Sequence, residues 1–335
     1  MADMPVPAEF ARALRELGLS HASSLSGTPL TGGVSSDIWC INTESGLVCA
    51  KRALPKLRVA ADWQAPVERN RYEARWLQVA HAARPGCAPQ LLGQHEALGV
   101  LVMQYLEPAD YRLWKQELHG GRAEKNTAKA VGEMLACIHS YAARQAGLAV
   151  DFPTQQIFFE IRLAPYLVAT AARHPKLAPA LHALVEQTQS HAKTLVHGDV
   201  SPKNILLGSQ GPVLLDAECA TWSDPAFDLA FCLNHFLLKC LWTPEACADF
   251  LHCFEVFTVS YLAGVDWESP QALEARAARL LPGLFLARVD GKSPVEYITE
   301  DSQRDQVRRV ASGFLLKPTS QLQDIAQVWA KELQP

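Results

Sequence analysis

Between Leu195 and Ala230 the chain sets His197, Asp199, Asn204, Asp216, Glu218, Asp224 and Asp228 among short apolar runs. The runs read as strands, so the acids fall at strand ends and turns, where a rigid element can aim a carboxylate. Several carboxylates and an amide held in this way suit Mg²⁺, a hard cation that takes oxygen ligands. A carboxylate beside such a cation can also accept the proton of a nucleophilic hydroxyl. The rival reading is a set of turn formers, since Asp and Asn favour turns for purely local reasons.

The rest of the chain must supply the elements that hold this stretch. Ala8 to Leu17 reads as a short amphipathic helix, and Thr31-Gly32-Gly33-Val34-Ser35-Ser36 leads into a hairpin, Asp37 to Ile41 and Leu47 to Lys51. A glycine pair before a hairpin lets backbone approach a ligand closely. Alternation puts Val48 and Ala50 on one face of the second strand and Cys49 and Lys51 on the other. Residues 66–83 read as a helix with Pro66 near its start and Glu73 in its middle, ended by Pro85-Gly86. Leu91 to His95 and Val100 to Tyr105 read as two more strands about Gly99.

From Asp110 the pattern becomes helical. Val131, Leu135, Ile138 and Ala142 recur on one helical face, and 155–171 and 178–192 read as further helices. Ala226 to Trp242 is apolar nearly all round, as a buried helix is. Arg288 to Tyr297 reads as an irregular polar break between late helices. The expected fold class is therefore α+β in two lobes: a strand-rich N-terminal lobe with one helix, 1–105, and a larger, mostly helical C-terminal lobe, 106–335. A ligand belongs in the cleft between them.

Composition narrows the partners. The chain has 335 residues, enough for two lobes, and 49% apolar residues, a globular content. A net charge of −4 without a basic run argues against nucleic acid. The start, MADMPVPAEF, lacks the basic and apolar regions of an export signal, and no uncharged apolar stretch reaches about 20 residues. Nine cysteines without C-x-x-C pairs then read as reduced thiols, and the expected location is cytoplasmic, away from membranes.

The motifs resemble those of the aminoglycoside phosphotransferase and choline kinase-like family, distant relatives of protein kinases. His197-Gly-Asp199-Val-Ser-Pro-Lys-Asn204 is similar to the family's H-G-D-x-x-x-x-N loop, Asp216-Ala-Glu218 to its D-x-E, and Ser223-Asp224-Pro-Ala-Phe-Asp228-Leu-Ala to its G-D-P-x-x-D-L-A. The likeness runs from Thr31 to about Trp242. It implies a two-lobed protein kinase-like fold and transfer of the γ-phosphate of ATP, or GTP, to a hydroxyl on a small molecule. Acceptors in such families include aminoglycosides, choline, methylthioribose and other sugars or amino alcohols.

By that resemblance Asp199 is the catalytic base and Asn204 and Asp216 hold Mg²⁺. Lys51 contacts the donor phosphates, aimed by Glu73, although Glu68 shares that helix and a strand-end lysine can simply be solvated. Gly32, Gly33, Ser35 and Ser36 cover the phosphates, and Gln104, Tyr105 and Leu106 meet the adenine edge through main chain. His197, Asp224 and Asp228 hold the loop. Glu218 reaches a second metal or a solvated edge.

Ser201 stands where protein kinases carry lysine, and Lys203 is the residue that can serve instead. Arg288 and Asp290 either bind the acceptor, where arginine would suit a carboxylate or phosphate, or form an ordinary turn with a surface salt bridge. A catalytically inactive nucleotide-binding module of the same fold and a protein kinase remain as alternatives. Ser201, and the lack of an A-P-E segment, weigh against the latter. Oligomeric state is not encoded in any of these features.

Overall fold

The computed structural model describes residues 4–30, 35–56 and 66–334. Its N-terminal sheet has six strands: β1 (Met4–Pro5), β2 (Ser26–Pro29), β3 (Ser36–Thr43), β4 (Gly46–Ala53), β5 (Leu91–His95) and β6 (Val100–Gln104). They pair antiparallel in the order β1-β2-β3-β4-β6-β5. The two strands at one side of the sheet, β1 at its edge and β2 next to it, are too short and too rich in Pro and Gly to show a period-two pattern in sequence.

Alternation divides the sheet between two cores. Val48, Ala50, Val100 and Val102 pack with Phe10 and Leu14 of α1 (Ala8–Glu16). Leu101, Met103 and Cys49 face the main core, beside Trp76, Leu77 and Ala80 of α2 (Arg69–Ala83). Lys51 shares the Cys49 face and is therefore carried inward rather than into solvent.

The helical lobe contains α3 (Trp114–His119), α4 (Lys125–Ala143), α5 (Leu148–Asp151), α6 (Gln155–Phe158), α7 (Ala169–Arg173) and α8 (Ala178–Ser190). After the acid-rich stretch of 195–225 come α9 (Ala226–Trp242), α10 (Cys247–Ala263), α11 (Pro270–Asp290), α12 (Asp301–Leu316) and α13 (Leu322–Glu332). Helix α9 is buried from Ala226 to Leu241 and packs against α10 and α11, which explains its apolar circumference. Helix α10 lies on α4, so close that a Cβ on Gly132 would sit 2.8 Å from the Phe257 carbonyl oxygen.

By length and composition alone, Pro244–Ala263 would reach across a bilayer, although it carries Glu245, Asp249 and Glu255 and so is not an uncharged stretch. Its Phe250, Phe254, Phe257 and Tyr261 are nevertheless buried in the main core, as in a core helix.

Two further boundaries differ from the sequence reading. The expected helix over 155–171 is not uniform: Phe159–Val168 widens into a π-type turn between α6 and α7. Pro165 within it has no N–H to continue an α ladder. The break read at Arg288 begins later, because α11 continues through Asp290. Arg288 and Asp290 thus sit on the last turn of a helix. The segment after it is tied down by Lys292 N–H to the Pro165 carbonyl, 2.9 Å, and Val295 N–H to the Arg288 carbonyl, 2.9 Å.

Short strands frame the acid-rich stretch. β7 (Arg112–Leu113), β9 (Ile205–Gly208) and β10 (Gly211–Leu214) form one sheet, and β8 (Thr194–Val196) pairs with β11 (Thr221–Ser223).

Candidate active site

β4 and α2 bring Lys51 against Glu73, with 2.7 Å between ammonium and carboxylate, and Asp216 pairs with the same ammonium from the other lobe. Burial alone would disfavour the Lys51 charge, but the Asp216 and Glu73 carboxylates outweigh it and hold the pKa above its ordinary value. Burial pushes Glu73 up to about 7, against the pull of Lys51. Asp216 is also penalised by burial, yet Lys51 and Lys203 hold it below the usual carboxylate range. Glu68, the other acid weighed on this helix, lines a different surface hollow with Arg52 and Arg71.

The loop after β8 is fixed from below by Asp228. Its carboxylate, fully buried in the first turn of α9, accepts the His197 N–H at 2.6 Å and the Gly198 N–H at 2.8 Å, and lies 3.2 Å from His139 Nε2. Gly198 has φ 78°, and a Cβ there would lie 2.8 Å from Cys219 Cβ, so no other residue fits this bend. Burial lowers the His197 pKa despite nearby Asp228, which favours a neutral ring. Its Nδ1 accepts the Asp199 N–H at 3.1 Å and its Nε2 then donates to the Leu215 carbonyl at 3.0 Å. His197 therefore ties the Asp199 loop to the Asp216 loop, with Trp76 packed edge-on at 4.9 Å.

Asp199 is almost wholly buried, and its Oδ2 faces two cations: Arg162 at 2.8 Å and Lys203 at 3.2 Å. Burial raises its pKa, but Arg162 and then Lys203 outweigh that and leave it lowered. Arg162 also donates to the Gly198 carbonyl at 2.6 Å. It lies in the widened turn, which places the guanidinium under the loop.

The donors present fit a divalent cation. Asn204 spends its amide N–H on the Asp199 carbonyl, 3.1 Å away, leaving its carbonyl oxygen for another partner. Leu215 N–H donates to the Asn204 backbone carbonyl at 2.8 Å, so the side-chain oxygen stays open and the two candidate ligands are linked through main chain. Asp216 has φ 66°, a left-handed conformation costly for a residue with a Cβ. No cluster of three His, Cys, Asp or Glu occurs among the described residues. Two protein oxygens would suit Mg²⁺, which keeps waters and substrate phosphates as its other ligands.

Glu218 does not reach a free edge; it pairs with Arg69 at 3.0 Å. Arg69 also donates to the carbonyls of Ser35, at 2.6 Å, and Leu54, at 2.9 Å, so it joins the entry to the first hairpin to the D-x-E loop. Gly32 and Gly33 lie outside the described residues. Ser35 and Ser36 are buried, and Ser201 Oγ has no hydrogen-bond partner among the described residues. Gln104 ends β6, and Tyr105 and Leu106 follow it outside regular secondary structure. Asp224 receives Arg276 at 2.9 and 3.0 Å and caps the Ala226 N–H at 3.0 Å. Asp290 is taken up by Arg308 and His174, 2.7 Å from each, whereas Arg288 faces a cavity beside Lys203.

Sequence reasoning passed over Arg162 and Arg69. Arg162 is the one arginine of an otherwise largely apolar segment, Arg69 is one of three in α2 with Arg71 and Arg75, and the only available signal was the flanking of Arg162 by Ile161 and Leu163.

The two-lobed protein kinase-like fold is shared with solved structures. An amicoumacin kinase in complex with AMP-PNP and Ca²⁺ superposes with TM-score 0.54 at 13% identity, covering 90% of this chain and 91% of that one. A choline/ethanolamine kinase family protein from Mesorhizobium loti does so with TM-score 0.51 at 14% identity, covering 96% and 99%. The chain belongs to the phosphotransferase enzyme family, whose family model matches residues 26–249. Methylthioribose kinase of Cronobacter sakazakii is 26% identical over 221 residues, 57% of this chain and 54% of that protein. The chain thus spans about half the length of the curated relatives it first matches.

Proposed function

We propose that the protein transfers the γ-phosphoryl group of ATP, or GTP, to a hydroxyl of a small molecule. The observation that carries this reading is the joint arrangement of two charge sets. Lys51 is held between Glu73 and Asp216, and Asp199 is held ionised by Arg162 and Lys203. The family's relatives named as kinases, and the AMP-PNP in one structural neighbour, support the same direction.

Lys51 would contact the donor phosphates, with Glu73 keeping the ammonium pointed. Asn204 and Asp216 would hold Mg²⁺, which when bound neutralises charge on the donor phosphates. Asp199 accepts a hydrogen bond from the acceptor hydroxyl and takes its proton as the new O–P bond forms and the bond to the departing diphosphate breaks. Lys203 and Arg162 lie on the same side and steady the negative charge gathered there.

The test is Asp199→Asn. Product formation followed by ³¹P NMR should fall by about 10²–10⁴, the usual worth of a general base, while nucleotide binding by calorimetry stays nearly intact. Retained turnover removes Asp199 from this role, and release of pyrophosphate rather than ADP would replace phosphoryl by nucleotidyl transfer.

A further inference from the structure

One face of α9 runs from the catalytic loop to a small cavity. Asp228 grips the loop, Phe231 lies 6.0 Å under Arg162, and His235 and Lys239 follow one and two turns on. Eleven residues at helical rise place Lys239 about 16 Å along the axis from Asp228. The cavity at the Lys239 end is walled by Pro202 and Lys203 of the loop, by Lys115, by Arg288 in the last turn of α11, and by Glu296 and Tyr297 after that helix.

Its charge is one-sided. Lys203 leans on Asp199, and Lys115 pairs with Glu296, the one carboxylate in the wall. Lys239 and Arg288 have no carboxylate partner among the described residues. Lys239 is 1% exposed and rests against the rings of Trp242, at 4.3 Å, and Tyr297, at 4.9 Å. Arg288 reaches only neutral oxygens, those of Ser293 and the Tyr166 hydroxyl at 3.0 Å, and its Nε is buried without a partner. His235 Nε2 and the Tyr297 hydroxyl are likewise buried and unpartnered. Buried donors normally find acceptors, so this many left open around one cavity marks a missing acceptor group.

We propose that this pocket binds an acidic group of the acceptor, a carboxylate or a phosphate monoester, so that the alcohol phosphorylated here is an anionic small molecule. A cationic acceptor would meet four cations and one carboxylate already in use. A neutral sugar would leave Lys239 and Arg288 unneutralised. Burial pushes the Lys239 ammonium down to about 7, with Lys115 adding to the shift, and an oxyanion alongside would restore its charge. Arg288 supplies the planar donor edge that matches either oxyanion. The proposal rests on the phosphotransfer reading for its position beside Asp199, but its sign of charge does not.

The experiment measures equilibrium binding by calorimetry, in the presence of AMP-PNP and Mg²⁺, with D-glycerate, sn-glycerol 3-phosphate, glycerol and choline as probes. At least one anionic alcohol should bind about tenfold or more tightly than glycerol and choline, and Arg288→Met should remove about tenfold of that affinity. Glycerate against glycerol 3-phosphate separates carboxylate from phosphate. Lys239→Met serves as the second variant, with thermal denaturation confirming that each variant folds and AMP-PNP affinity read in the same samples.

Equal binding of choline or glycerol would overturn the proposal. So would anion binding untouched by both variants, or no anion binding at millimolar concentration. Anion binding that depends on Arg288 in a protein that fails to bind AMP-PNP would support the pocket and overturn the phosphotransfer reading alone.

Discussion

Asp228→Asn isolates what holds the catalytic loop, because it changes one oxygen for an amide nitrogen of the same size. The Asp228 carboxylate accepts N–H bonds from both His197 and Gly198 at 2.6 and 2.8 Å, in a fully buried setting. Asparagine can accept only one of them; its NH₂ must then face the other N–H. One charge-assisted bond is lost, at about 1.5–3 kcal/mol, and a buried donor is left unsatisfied, at about 1–3 kcal/mol. Relaxation of the loop recovers part of this, so the expected loss of stability is about 3–5 kcal/mol, or roughly 5–15 °C in Tm.

The loop should shift when one anchor is lost, and a misplacement of about 1 Å at Asp199 lowers kcat by about 10²-fold. Nucleotide binding, which the proposed function rests on Lys51 and β4, should change far less. The assay pairs thermal and urea denaturation with kcat and calorimetric AMP-PNP affinity. A variant with wild-type Tm and kcat would refute the account of Asp228 as the anchor of the loop.

Three further outcomes are expected. Lys51→Met leaves Glu73 and Asp216 facing each other without their shared cation, so it should destabilise the fold by about 3 kcal/mol and weaken nucleotide binding; unchanged nucleotide affinity would remove Lys51 from the site. Asp199 has a lowered folded pKa, so the stability it contributes is present above its unfolded value near about 3.9 and is lost as pH falls through the folded one. Arg162→Met should raise that folded pKa and move the acid limb of the kcat profile to higher pH, and an unmoved limb would count against the pairing. Lys239 behaves in the opposite sense: with its folded pKa near 7 and its unfolded value near about 10.4, the unfolded chain holds the extra proton between the two, so wild-type stability should rise with pH across that window. Lys115 and Arg288 push the group down and Glu296 pulls it up. Lys239→Met should abolish this rise and stabilise the ligand-free protein near pH 7 by on the order of 2–4 kcal/mol; equal pH profiles would show that Lys239 is not an uncompensated buried charge.

The kinase-like architecture and the family were legible from local order. Strand alternation predicts that Lys51 lies opposite Val48 and Ala50, and the sheet places it so, because side-chain direction in a strand follows from covalent geometry. The three acidic motifs could be read because their offsets along the chain are part of the chemistry. Helix α9 announced its burial by composition.

What local order could not supply was partnership between distant segments. Arg69 with Glu218 joins residues 149 positions apart, and Arg162 meets Asp199 from a helix widened at Pro165. Nothing in the neighbourhood of either arginine encodes its mate, since ion pairing depends on packing of whole helices rather than on spacing. The same limit applied to Arg288. Its sequence surroundings left both a turn and an acceptor contact open, the turn slightly favoured, and Asp290 near it turned to Arg308 and His174.

The chain alone thus determined the fold class, and it singled out the residues proposed for phosphate and metal, because the first follows from periodicity and the second from the order and offsets of the family's motifs. Only the tertiary structure decided which cations guard Asp199, what anchors its loop, and that Lys239 and Arg288 line a cavity with Lys203 and meet no carboxylate partner among the described residues. Those facts depend on where α9, α11 and the widened turn come to rest against one another.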